Sequence, residues 1–507
     1  MSSDAGPPAV SADAAGIARG LAIEPDIHLA DDVLRHALLD GERPAIIRGG
    51  KTITFRALGE RIRRCADGLR REGVAPGTRL ALSAARIDSA IVGLLGATLS
   101  GAVVAPLSPE TPGEERERLT ASLSLAGTLV DGRAEILSIG RLVDRGDPSA
   151  NPRAPGGNAP ATIMLTSGTT DVPKAIELSH FRQVWVLRTM AAALGIDRSD
   201  RHMPLVAPHF SLARNAMLRV LYAGGTVVES GATTVDELAA LADQHAITDL
   251  SMTPSHVRYL LARAPADRLA LPGLRRMLVS SAFLHHAERQ QIMRTLTPRL
   301  HIYLGMNEVG FATLARPDDL RTVPDTVGRA LPGVRVEVVD DDARALPPGE
   351  AGALRIAGPN VPPGYLADEA ATQRHFREGW FHPGDIARID RDGFLFLLGR
   401  ADDRINHGGV KVYPIEIERA LRAHPAVADV AVVGLPAQQS GEVPAAAVVL
   451  NRPTPKKVLR AHCVAQLGRF KAPTVIVVVD ALPRNAMNKV PPEALRTMIL
   501  AHRSKKR

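Results

Sequence analysis

The stretch Thr162-Ile163-Met164-Leu165-Thr166-Ser167-Gly168-Thr169-Thr170-Asp171-Val172-Pro173-Lys174 constrains this chain more than any other. Its apolar opening suits a buried strand, which then breaks into small hydroxyl residues and a glycine ahead of a lysine. Backbone N–H groups and hydroxyls in such a loop can face an anion, with Lys174 supplying positive charge. A triphosphate loop of the Gly-Lys-Ser/Thr kind is excluded, because Pro173 precedes Lys174 and Ala175 follows it. From these residues alone, a phosphate cradle and a polar surface turn both stay open.

The segments around it alternate strand and helix. Thr52-Ile53-Thr54-Phe55 reads as a strand, Arg56 to Glu72 as an amphipathic helix, and Arg79 to Leu82 as the next strand after a Gly/Pro turn. Further strands are expected at Thr226 to Val228, Leu274 to Val279 and the glycine-closed run Gly393 to Arg400. This rhythm predicts an α/β fold (mixed α+β), with helix-covered sheets in a large N-terminal domain. At 507 residues the chain exceeds what one core organises, so a smaller C-terminal α/β domain is expected as well. Strands there fall at Val430 to Val433, Ala446 to Leu450 and Val475 to Val479, with a helix near Lys456 to Leu467.

Composition removes several classes of function. The net charge is +8, but aromatic residues make up only 3% of the chain, so no base-stacking platform suggests itself and nucleic acid is not an expected partner. Cys65 and Cys463 each sit among leucines at helical spacing and read as core thiols, which suits a reducing, cytoplasmic setting. Residues 1–20 lack the basic start and apolar core of a signal peptide and are expected to form a disordered tail. The uncharged run Ile91 to Ser108 has the length of a membrane span. Its Ser100-Gly101 turn signal and Pro106 predict a helix leading into a buried strand instead, so no membrane span is expected.

Further motifs follow in order. His209-Phe210 precedes an apolar helix; Ser280-Ser281-Ala282-Phe283 closes a strand; Tyr303-Leu304-Gly305-Met306-Asn307-Glu308 closes another. Then come Gly328-Arg329-Ala330-Leu331-Pro332-Gly333, Gly358-Pro359-Asn360-Val361, Gly364-Tyr365, and Gly379-Trp380-Phe381-His382-Pro383-Gly384-Asp385. Such a series is far harder to meet by chance than any single motif. Glu308 is a hard oxygen donor of the kind Mg²⁺ takes, and Asp385 offers a bidentate acceptor with no competing donor. Pro414 suits a first helical turn, with Glu416 and Glu418 complementing the helix dipole. Near the end stands Leu482-Pro483-Arg484-Asn485-Ala486-Met487-Asn488-Lys489.

Taken together, these motifs resemble the adenylate-forming superfamily of acyl-CoA synthetases, peptide-synthetase adenylation domains and firefly-type luciferases. The loop resembles that family's Ser-Gly-Thr-Thr-Gly-x-Pro-Lys-Gly, departing at Asp171 and Ala175. Ser280-Ser281-Ala282-Phe283 stands where relatives carry Gly-Gly-Ala-Pro along the adenine, Leu304 replaces an adenine-stacking aromatic, Asn307 a threonine, and Asn488 a glycine.

The resemblance implies a nucleotide site built from Thr166, Ser167, Gly168, Thr169, Thr170, Lys174, Ser281, Ala282, Phe283, Leu304, Gly305, Met306, Asn307, Asp385, Arg400 and Lys489. Within it, Lys489, Glu308 and Lys174 would be catalytic and Glu308 would carry Mg²⁺. From the residues themselves, Phe283 reads rather as a core filler. The resemblance further implies a hinge at Asp402 and a thiol channel lined by His209, Gly408 and Gly409. His209, Arg214, Arg219 and Met306 fall in regions that line the acyl site in relatives. The domain limits it implies are 21–400 and 403–503, about a hinge at 401–402.

The implied activity is ATP-dependent conversion of a carboxylic acid to an acyl-adenylate, followed by transfer to a thiol. With the chain ending soon after Lys489, free coenzyme A is the expected acceptor. Loading of a separate carrier protein, and a nucleotide-binding homologue with little turnover, stay open as alternatives.

Overall fold

The computed structural model describes residues 23–24, 26–131, 137–150, 156–166, 174–229, 231, 234–265, 267–408, 410–437, 441–484 and 490–504. The chain divides into two compact units. The first holds Met1–Phe283, Gln290–Val336 and Ile356–Phe381, and the second Leu284–Arg289, Glu337–Arg355 and His382–Arg507.

Two sheets organise the first unit. In the larger, the strands lie in the order Arg329–Ala330, Gly310–Ala315, Leu300–Met306, Arg276–Val279, Asp249–Met252, Arg201–His202, Thr226–Val228, Pro44–Arg48 and Lys51–Thr54. Its centre is parallel and its margins antiparallel. The smaller sheet runs Gly127–Val130, Arg79–Ser83, Val103–Pro106, Pro160–Thr166 and Lys174–Ser179, with only the last pair antiparallel.

The helices Phe55–Arg71 and Ile87–Ser100 supply much of the core shared by these sheets. Leu58, Ile62, Cys65 and Leu69 lie on one face of the first helix, and the second is buried along its whole length. An all-round apolar helix needs cover on every side, which two sheets and neighbouring helices provide. The span-length run from Ile91 is accordingly a core helix entering the Val103–Pro106 strand, and no helix among the described residues is long and apolar enough to cross a membrane. Phe55 begins the helix rather than ending the preceding strand, because the Thr54 hydroxyl caps it by accepting from the Ala57 N–H at 3.3 Å.

In the second unit, Gly441–Leu450 pairs antiparallel with Val427–Ala437 and parallel with Val475–Val478. Helices Pro414–Arg422 and Lys456–Leu467 cover one apolar face through Ile417, Leu421, Leu459 and Cys463. Leu495 and Ile499, on the Pro492–Ser504 helix, cover another. Pro414 starts its helix as its fixed φ allows, and the Glu416 carboxylate caps the Tyr413 N–H and pairs with Lys471 at 2.8 Å, a structural use of that acid. Both thiols are buried, and burial pushes Cys65 up to about 12 and Cys463 to about 11, which leaves them unreactive.

Candidate active site

The hydroxyl-rich loop follows the Pro160–Thr166 strand and precedes the Lys174–Ser179 strand. Thr166 and Lys174 are direct cross-strand partners, and the Thr166 hydroxyl donates to the Lys174 carbonyl at 3.3 Å. The loop is thus anchored where its flanking residues meet. Ser167, Gly168, Thr169 and Thr170, with Asp171 and Pro173, lie outside the described residues.

Two further segments reach the Lys174 edge. The Leu366 N–H donates to the Ala175 carbonyl at 2.7 Å, which brings Tyr365 alongside Lys174. Lys174 Nζ sits 5.0 Å from the centroid of the Tyr365 ring, a cation held over an aromatic face. The Tyr365 hydroxyl in turn donates to Glu308 Oε1 at 3.1 Å. Gly364 permits this approach, since a Cβ there would come within 2.4 Å of the Thr372 methyl. Tyr365 was legible as part of a motif, but its bond to Glu308 was not; an aromatic after glycine gives no sign of its partner.

Glu308 and Asn307 follow the Leu300–Met306 strand, whose register slips between Leu304 and Gly305. Gly305 fits there because a Cβ would meet the Gly310 carbonyl and the Tyr303 ring, each at 2.9 Å. The bulge re-aims the strand end, as bulges next to sites commonly do. Leu304 and Met306 are half-buried beside it. Asn307 Nδ2 donates to the Leu165 carbonyl at 2.8 Å, and Asn307 Oδ1 accepts from the Ser211 hydroxyl at 2.9 Å. Asparagine therefore braces three segments while using one of its two amide hydrogens, which the shorter threonine cannot do.

On the neighbouring strand, Ser280 is buried and hydrogen-bonds Tyr303, while Ser281 and Ala282 are exposed. Ser281 has φ +79°, left-handed backbone that normally asks for glycine. The substitution thus keeps a glycine's conformation on a residue that adopts it at a cost. Phe283, expected as core, is only half-buried: it lies in the loop four residues past the end of the Arg276–Val279 strand, where its carbonyl accepts from Arg258 at 3.4 Å.

His209 and Arg214 stand at the start of the Ser211–Tyr222 helix. Arg214 Nη1 donates to the His209 carbonyl at 2.9 Å, and the His209 ring lies 4.1 Å from that of Phe210. Burial, then the Arg214 charge, holds His209 below the usual histidine range. Arg219, one turn further on, is wholly buried and bonds Asp249 and Ser251 at 2.9 Å. Its guanidinium is engaged with these core partners.

In the second unit, Asp385 and Arg400 are cross-strand partners 3.5 Å apart, and the Ala401 N–H closes on the Gly384 carbonyl at 2.8 Å. Ala401 and Asp402 fall within this unit. Gly408 has φ +59° in the tight turn joining Ile405–His407 to Val410–Val412, a conformation that favours glycine. Gly409 and Lys489 lie outside the described residues, as do Asn488 and residues 1–22.

Glu308 offers one carboxylate, and the described residues contain no group of three metal-ligating side chains. That donor set fits Mg²⁺, which takes one or two carboxylates and completes its shell with phosphate oxygens and water.

The family model of AMP-binding enzymes matches residues 34–366, and that of the AMP-binding enzyme C-terminal domain matches 416–489. The indoleacetate–CoA ligase of Aromatoleum aromaticum is 29% identical over 508 residues, covering 93% of this chain and 98% of the relative. The fatty acid–[acyl-carrier-protein] ligase ScoC of Streptomyces coeruleorubidus is 28% identical, over 91% of this chain and 94% of its own. Among solved structures, O-succinylbenzoate coenzyme A synthetase from Bacillus subtilis, in complex with ATP and magnesium ion, superposes with a TM-score of 0.79 at 26% identity, covering 92% of this chain and 99% of that one. With a family model matching most of its length and the same mixed α/β architecture, this chain belongs to the AMP-binding enzymes of the adenylate-forming superfamily.

Proposed function

We infer that this protein activates a carboxylic acid with ATP, releasing pyrophosphate, and passes the acyl group to the thiol of coenzyme A. A carboxylate is a poor electrophile. Its oxygen attacks the α-phosphorus, the bond from that phosphorus to the pyrophosphate oxygen breaks, and the acid becomes a mixed anhydride. A thiolate then attacks the acyl carbon and AMP leaves with the electron pair.

The observation that supports the site most strongly is the Lys174–Tyr365–Glu308 cluster, assembled from three segments far apart in sequence. Positioning and charge neutralisation dominate phosphoryl chemistry of this kind. Lys174 and the Thr166 to Thr170 segment hold the departing pyrophosphate, and Asn307 adds its spare amide hydrogen. Mg²⁺ on Glu308, when bound, offsets phosphate charge. Asp385 accepts from the ribose hydroxyls, with Arg400 beside it. Lys489 neutralises charge between the carboxylate and the α-phosphate. The backbone of Ser281, Ala282, Leu304 and Gly305 borders the base. Asp402 serves as the hinge between half-reactions, and His209, Gly408 and Gly409 border the thiol's path. The two buried, free thiols support a reducing, cytoplasmic setting.

The match to ScoC favours a second reading of the acceptor, a carrier protein in place of coenzyme A. Exchange of labelled pyrophosphate into ATP across a panel of acids, with coenzyme A consumption followed in parallel, tests both steps. Exchange with at least one acid and matching thiol consumption is expected. Exchange with no thiol consumption favours the carrier protein, and silence with every acid contradicts the reading.

A further inference from the structure

Among the described residues, Arg214 is a cation without an anion. It is 5% exposed, with Nη1 on the His209 carbonyl and Nη2 against the Met164 sulfur. Its Nε is buried with no hydrogen-bond partner, and so is His209 Nδ1. Among the described residues no carboxylate pairs with it, whereas the equally deep Arg219 and Arg276 both pair with Asp249. The adjoining cavity is lined by Leu82, Ile91, Leu94, Pro106 and Met217, none of which can answer a charge. Burial lowers Arg214 only to about 10, so the guanidinium stays charged at neutral pH.

A buried charge with nothing opposite it is strongly unfavourable, and proteins keep one where a ligand supplies the counter-charge. The location says which ligand. Arg214 lies one turn from Ser211, which bonds Asn307 beside Glu308, and it touches Met164 two residues before Thr166. The charge therefore sits beside the segments proposed to hold the nucleotide.

We propose that the acid this enzyme activates carries a second carboxylate, and that Arg214 Nε and the His209 ring receive it. The proposal rests on the acid-activating reading. The free volume beside the guanidinium is about 10 Å³, room for one water-sized group, so seating the distal carboxylate requires the cavity wall to part. Arg214 is then a specificity residue, remote from the reacting carboxylate.

Pyrophosphate exchange with chain-matched pairs, adipate against hexanoate and glutarate against pentanoate, tests it in wild type and Arg214→Met. Wild type is expected to favour the diacid in kcat/KM by on the order of 10²-fold, and the variant to lose most of that ratio, chiefly through KM. Wild-type preference for the monoacids, or a ratio unmoved by the substitution, overturns the proposal while leaving acid activation intact. Silence with every acid overturns both. Should Arg214→Met not fold, the wild-type melting temperature decides: the diacids alone raise it if the proposal holds, and equal or absent shifts contradict it.

Discussion

The Tyr365 hydroxyl donates to Glu308 Oε1 at 3.1 Å while the same ring lies under Lys174 Nζ, so one aromatic side chain sets both a carboxylate and a cation. Tyr365→Phe removes the donor and keeps the ring. A hydrogen bond to a charged group contributes about 1.5–3 kcal/mol, so pyrophosphate exchange should fall about 10- to 100-fold, with a higher Mg²⁺ requirement. Unchanged exchange and Mg²⁺ dependence would show that Glu308 needs no such support.

Ser281 holds left-handed backbone at φ +79°. Replacing it with glycine should stabilise the first unit by about 1 kcal/mol in urea unfolding, and valine should destabilise it by more. Equal midpoints for serine and glycine would mean that the conformation carries no strain.

His28 and His180 stack at 3.9 Å in the core of the first unit. His28 Nδ1 accepts from the Ala30 N–H and His180 Nδ1 from the Leu29 N–H, so a second proton on either ring would point at a donor. Burial holds His28 down to about 4 and His180 to about 2. The unfolded chain takes these protons near pH 6.5, whereas the folded chain resists. Their stabilisation is therefore complete above pH 6.5 and lost as pH falls towards 4, at about 1.4 kcal/mol per pH unit for each histidine. Urea midpoints from pH 7 to 4 should show this slope in wild type and about half of it in His180→Asn. Identical slopes would count against the assignment.

Asp249 faces His202, Arg219 and Arg276 in a fully buried group. Arg219→Leu leaves the carboxylate short of its partner at 2.9 Å and should cost about 3–5 kcal/mol of stability. Its effect on acid selectivity should be small beside that of Arg214→Met. A variant of native stability with altered acid preference would put Arg219 at the acyl site after all.

Much of this was legible because the pattern was local. The Lys456–Leu467 helix and the Thr226–Val228 strand follow from periodicity, and the core places of Cys65 and Cys463 follow from their leucine neighbours. What stayed hidden depends on distant partners. Arg214 and Arg219 look alike on one helix, and only Asp249, from another strand, separates them. Asn307 read as a departure until Leu165 and Ser211 appeared at its two ends. Phe283 read as core because a large apolar side chain after a strand usually is, and where the strand stops, at Val279, is invisible to that rule.

The most direct test labels the acid's carboxylate with ¹⁸O and follows the label through one turnover with ATP and coenzyme A. Attack at the α-phosphorus leaves one labelled oxygen in AMP and none in pyrophosphate, which is the result expected here. Label in inorganic phosphate, with ADP as the nucleotide product, would place the attack at the terminal phosphorus and contradict adenylate formation.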